Sequence, residues 1–157
     1  MRCATPTDPQ MLRLVIGTNL WIRALLGGPV TLPLLGAWKD GRFRALVSDS
    51  LLEELDDVRQ RPRLRRLIRA REAEQLLEQL RWRGVRVSLT TIPPQCRDIR
   101  DHPVLATAID GKAKAIVSGD ADLRADDDLR AAMLEYGVEI WGIERFLQAV
   151  SQNPVES

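Results

Sequence analysis

Along the chain, short runs rich in apolar residues alternate with longer stretches whose apolar residues recur every three or four positions. The short runs are Leu12–Ile16, Phe43–Val47, Val85–Leu89, Ala115–Val117 and Val138–Ile140, and each predicts a buried strand. Helices are predicted over Asn19–Leu26, Thr31–Lys39, a segment from about Leu51, Arg63–Arg69, Glu72–Arg83, Pro103–Ile109, Leu129–Tyr136 and Ile143–Val150. Gly27-Gly28-Pro29 separates the first two, and Ser50 with Glu53 has the spacing of a capping box. In Glu72–Arg83 one face carries Ala73, Leu76, Leu77 and Leu80, and Gly84 stops the helix. Strands alternating with helices from end to end predict an α/β domain around a mostly parallel sheet.

In such sheets ligands bind beyond the carboxyl ends of the strands, so the residues there carry the candidate chemistry. Asp120 and Asp122 follow Ala115–Val117, with Gly119 allowing a tight turn, and Asp101 opens the helix before that strand. Glu53 and Glu54 lie on the helix after the second strand. Leu51, Leu52, Leu55 and Val58 define its buried stripe, which sends Glu53 to water and leaves Glu54 at the stripe's edge. Acids gathered in one cleft repel, by roughly 4 kcal/mol for a pair about 4 Å apart at a dielectric near 20. A hard divalent cation removes that cost, activates water and stabilises charge on phosphate. Taken singly each acid is weak evidence, and Asp120 after a strand is the hardest to explain away. Asp101 or Asp122 can cap a helix, as can Asp126, Asp127 or Asp128, and no spacing rule brings the acids together.

The order of these stretches resembles the PIN-domain family, and within it the toxins of VapC type. Leu14-Val15-Ile16-Gly17-Thr18-Asn19-Leu20 is similar to the opening strand followed by Asp-Thr-Asn. Ser48-Asp49-Ser50-Leu51-Leu52-Glu53-Glu54-Leu55 is similar to the serine-started helix with the catalytic glutamate. Cys96–Asp101 with Leu105–Ala108, and Ile116–Leu123, complete the likeness, which runs from about Leu12 to Val150. It implies a three-layer fold with a central parallel sheet, a Mg2+ or Mn2+ site and cleavage of RNA. By position, Glu54, Asp101 and Asp120 would be the metal acids, Asp122 an accessory acid and Asn19 a polar organiser, with Asp98 second in rank. It also implies a protein antitoxin as partner and a homodimer. The first aspartate of the pattern falls at position 17, where this chain has glycine. A decayed nuclease, a disarmed variant, or a site filled by another carboxylate or water would each account for it. A binding module that holds RNA or antitoxin without cutting is the rival class.

Composition sets limits around this reading. The chain has 157 residues, 45% hydrophobic and 29% charged, which suits one domain. A net charge of +1 leaves attraction to RNA to local patches. The densest is Arg59, Arg61, Arg63, Arg65 and Arg66, continuing to Arg69 and Arg71. It reads equally as a phosphate-binding edge or as a solvated helical face with Leu64, Leu67 and Ile68 packed inward. Cys3 and Cys96 have no metal spacing and suit a reduced, cytoplasmic setting. Met1–Gln10 lacks the apolar core of a signal peptide and reads as a disordered leader, or translation begins at Met11. Residues 151–157 read as a polar tail. Leu12–Leu26, broken by Arg13, Asn19 and Arg23, is too short and polar to span a bilayer. His102 alone argues against zinc, and the four tryptophans read as packing residues. Neither a glycine-rich dinucleotide turn nor a phosphate-binding P-loop is present.

Overall fold

A computed structural model of the protein describes residues 11–29, 31–94 and 101–152. The elements run β1 (Leu12–Ile16), α1 (Thr18–Leu25), α2 (Leu32–Lys39), β2 (Phe43–Val47), α3 (Asp49–Arg59), α4 (Pro62–Arg65), α5 (Ala70–Arg83) and β3 (Val85–Arg86). They continue with α6 (His102–Asp110), β4 (Ala115–Val117), α7 (Ala121–Ala125), α8 (Asp127–Leu134), β5 (Glu139–Trp141) and α9 (Ile143–Gln152). The five strands form one sheet in the order β3-β2-β1-β4-β5, with every pairing parallel. Val15 of β1 lies against Ile116 of β4, and Leu14 against Ala45 of β2.

Alternation along each strand makes three layers. Leu14 and Ile16 of β1, Phe43, Ala45 and Val47 of β2, Ala115 and Val117 of β4, and Trp141 of β5 join one apolar cluster with α1, α2, α3, α5 and α9. Val15, Leu46, Ile116 and Ile140, one residue out of step, join a second cluster with α6, α7 and α8. Both faces are therefore covered, as the continuous apolar runs require. The first cluster is braced by Phe43 and Phe146, edge to face with centroids 5.3 Å apart, and by Trp38 against Trp21 at 6.2 Å.

Several boundaries differ from the sequence expectation. The cap of α3 is Ser48 rather than Ser50, because β2 ends at Val47 and the helix starts at once. Ser48 Oγ accepts from Leu51 N at 3.4 Å. The helix expected over Arg63–Arg69 is one turn, α4, and Leu67 points to solvent while Ile68 is buried. Arg61, Arg63, Arg65 and Arg66 are exposed there, as either reading of the run expects. The strand expected over Val85–Leu89 pairs only at Val85 and Arg86. Gly84 stops α5 with an extended backbone. A Cβ at Gly84 would meet Leu80 O at 2.4 Å, so close approach demands the glycine rather than a left-handed turn. Trp21, Trp38 and Trp141 pack in the core, but Trp82 is 82% exposed. Among the described residues, no helix is long and apolar enough to cross a membrane.

Candidate active site

The strand order reverses between β1 and β4. Chain elements leave β1 toward β2 and β3 on one side and return to β4 and β5 on the other. The carboxyl ends of those two strands frame a crevice of the kind where α/β sheets bind ligands. Gly17, Thr18 and Asn19 enter it from the end of β1, and Ser118, Gly119 and Asp120 from the end of β4. Glu54 comes from the middle of α3 and Asp101 from the start of α6. The enclosed space is small, about 70 Å³.

Local hydrogen bonds hold these groups. Gly17 N donates to Val117 O at 2.9 Å, which locks the ends of β1 and β4 together. Thr18 Oγ1 donates to Glu54 Oε1 at 3.1 Å, tying α1 to the carboxylate of α3. Asp120 N donates to Ser118 Oγ at 3.0 Å, and Asp120 Oδ1 accepts from Asp122 N at 2.9 Å. Behind the crevice, Thr107 Oγ1 donates to Pro103 O at 2.6 Å. That leaves the buried Ser48 hydroxyl to donate to Thr107 Oγ1 at 2.8 Å. This pair joins the start of α3 to α6, the helices that carry Glu54 and lead from Asp101.

The sequence candidates separate in space. Glu54, Asp101, Asp120 and Asn19 line the crevice with Gly17. Asp101 takes the N-cap position of α6 without a side-chain cap bond. Asp122 is exposed in the first turn of α7 and does not line the crevice, and Asp126 caps α8 through Leu129 N at 3.1 Å. Glu53 is exposed. Arg59 pairs with Asp56 at 2.9 Å. Neither it nor Arg61, Arg63, Arg65 or Arg66 lines the crevice. Asp98 and Cys96 lie outside the described residues.

Position 17 lies on the crevice lining. The backbone there has φ −61° and ψ 146°, ordinary extended geometry open to any L residue. A Cβ built on Gly17 would meet nothing closer than Val117 O at 3.4 Å, an ordinary contact. Neither conformation nor crowding requires glycine, and a side chain fits. The donors present are oxygen-only, the type that suits Mg2+ or Mn2+. Among the described residues, however, no three His, Cys, Asp or Glu side chains stand close enough to hold an ion. The described donors therefore do not make a three-carboxylate metal site by themselves.

A three-layer α/β domain with acids lining the crevice at the switch point of its parallel sheet is the class that fold and site define. The family model described as PIN domain matches residues 13–122, and the chain belongs to that family. Its members generally use divalent metal ions. Neither the curated proteins nor the solved structures gave a match.

Proposed function

We propose that this protein is a toxin-type PIN endoribonuclease by descent, disarmed at position 17, which still binds RNA but hydrolyses its phosphodiesters weakly or not at all. The observation that carries this reading is Gly17 itself. A glycine occupies a place where backbone and space accept a side chain, amid three carboxylates that otherwise have no common purpose. The toxin resemblance adds Mg2+ or Mn2+ as the ion an intact site would take, an antitoxin as protein partner and a homodimer as the assembly.

With one donor short, no hydrolytic step is assigned to an ion here. The chain's own residues explain what is retained. Thr18 orients Glu54 by its hydrogen bond, and Ser118 and the first turn of α7 fix Asp120. None of these bonds involves a metal, so Glu54 and Asp120 are held in place without one. The rival reading, a module that binds without cutting, shares this picture and differs only in whether a carboxylate at position 17 restores chemistry.

Metal affinity tests the reading directly. Losing a group merely hydrogen-bonded to a metal ligand costs roughly 10–100-fold in affinity or activity, so a missing ligand should cost at least as much. Titration of Mn2+ into this chain and into Gly17→Asp, followed by calorimetry or by the electron-spin signal of free Mn2+, should show the aspartate form binding roughly 100-fold more tightly. Equal affinity in the two forms would remove position 17 from the site.

A further inference from the structure

Beside the acid crevice lies a larger cavity of about 830 Å³, and Leu20, Ser118 and Gly119 form a wall common to both. Three arginines from three separate helices converge on it: Arg23 of α1, Arg124 of α7 and Arg145 of α9. None of the three forms a salt bridge among the described residues. Arg145 instead stacks on the Trp141 ring at 4.5 Å.

The glycines of this region make room for the guanidinium groups. A Cβ at Gly119 would come within 3.0 Å of Arg23 Nη1, and one at Gly142 within 2.9 Å of Arg124 Nη1. Two further polar atoms on lining residues, Arg124 Nε and the buried Thr31 Oγ1, have no hydrogen-bond partner among the described residues. Thr31 is only 3% exposed. A buried polar group without a partner is costly and is usually met by an ion, a water or a ligand. Converging guanidinium groups repel one another and present fork-shaped donors that match phosphate oxygens two at a time, and they outnumber Glu144, the carboxylate on the same lining. Leu26 and Ile143 add apolar wall, and the volume falls in the range of small-ligand sites, roughly 300–1,000 Å³.

The geometry points to a nucleotide subsite: Arg23, Arg124 and Arg145 hold the backbone phosphate of the RNA residue next to the one seated over the acid crevice. This rests on the RNA reading above and assigns the strand's path to this side of the sheet rather than to the Arg59–Arg66 corner. The shared wall favours RNA over an acidic peptide, because a strand lying over the crevice passes straight into the arginine pocket. Arg130, which donates to Ile140 O at 3.4 Å, lines the next cavity along with Arg124 and Arg145 and extends the same basic edge.

Binding in EDTA separates the subsite from cleavage. A short labelled single-stranded RNA is titrated into the full chain by fluorescence anisotropy between about 50 and 200 mM salt. The same is done with Arg23→Gln, whose side chain is exposed, with Arg23→Gln/Arg124→Gln, with Arg124→Lys, and with Arg61→Gln/Arg65→Gln. The double pocket variant should bind roughly tenfold or more weakly, with a salt slope lower by about 1 to 1.5, since each phosphate contact on a single strand contributes about 0.7. Arg124→Lys should recover the slope but not the full affinity, because an ammonium keeps the charge and loses the fork. Arg23→Gln alone should move both quantities in the same direction, which guards against a misfolded double variant. Unchanged binding in the pocket variants, or loss only in the Arg61/Arg65 variant, overturns the subsite. So does a wild-type chain that ignores RNA and binds a labelled poly-glutamate peptide. Cleavage of RNA by Gly17→Asp tests the nuclease part of that reading separately from the subsite.

Discussion

The proposed function turns on residue 17. Aspartate there would gain a few tenths of a kcal/mol over glycine as the N-cap of α1. It would also add a fourth carboxylate beside Glu54, Asp101 and Asp120, which costs roughly 1–2 kcal/mol at separations and dielectrics typical of a half-exposed crevice. Repulsion wins. Gly17→Asp should therefore melt about 2–6 °C lower than this chain in EDTA and recover with Mg2+ or Mn2+, on the scale of about 2–4 °C per kcal/mol for a domain of this size. A scanning-calorimetry result in which the aspartate form is the more stable one in EDTA would mean that the acids do not feel one another. The Ser48–Thr107 hydroxyl pair gives a second test at this scale. Thr107→Val keeps the shape but leaves the Ser48 hydroxyl buried without its acceptor, at a cost of about 1–3 kcal/mol in chemical denaturation.

Between elements, two side-chain contacts set the frame of the site. Thr18 links α1 to Glu54 on α3. In a Gly17→Asp background, Thr18→Val should lower RNA cleavage roughly tenfold by releasing the glutamate, with little change in RNA binding. An unchanged rate would show that Glu54 needs no such hold. At the end of α6, Asp110 clasps the segment after β3. Its carboxylate accepts from the Thr91 and Thr90 hydroxyls and from both backbone amides. The Thr91 hydroxyl leads in holding the Asp110 pKa below its ordinary 3.8, against the opposing effect of burial. A depressed carboxylate stabilises the fold above its ordinary pKa and loses that contribution as pH falls through the folded value. The amide resonances of Thr90 and Thr91 should therefore shift on acidification with a midpoint below 3.8. A midpoint at or above that value would contradict the clasp.

Across the whole molecule, the features legible in the sequence are those with a local cause. Continuous apolar strands such as Leu14-Val15-Ile16 announced a sheet covered on both faces, and Ala115–Val117 matches residue for residue. The stripe of α3 distinguished Glu54 from Glu53, because helical geometry alone separates neighbours by about 100°. What was not legible depends on contacts far apart in the chain. No periodicity separates Asp120, at the crevice, from Asp122, exposed and off its lining two residues later. The dense Arg59–Arg66 run caught attention as a run, whereas Arg23, Arg124 and Arg145 are isolated in sequence and meet only because β1, β4 and β5 are neighbours. The proposed function makes this a nuclease-type fold one carboxylate short. Its most direct test is RNA cleavage by this chain and by Gly17→Asp, side by side, with Mg2+, Mn2+ or EDTA. The account predicts that the aspartate form cuts roughly 100-fold faster or more, and that EDTA abolishes the difference. Comparable cleavage by the two forms would contradict it.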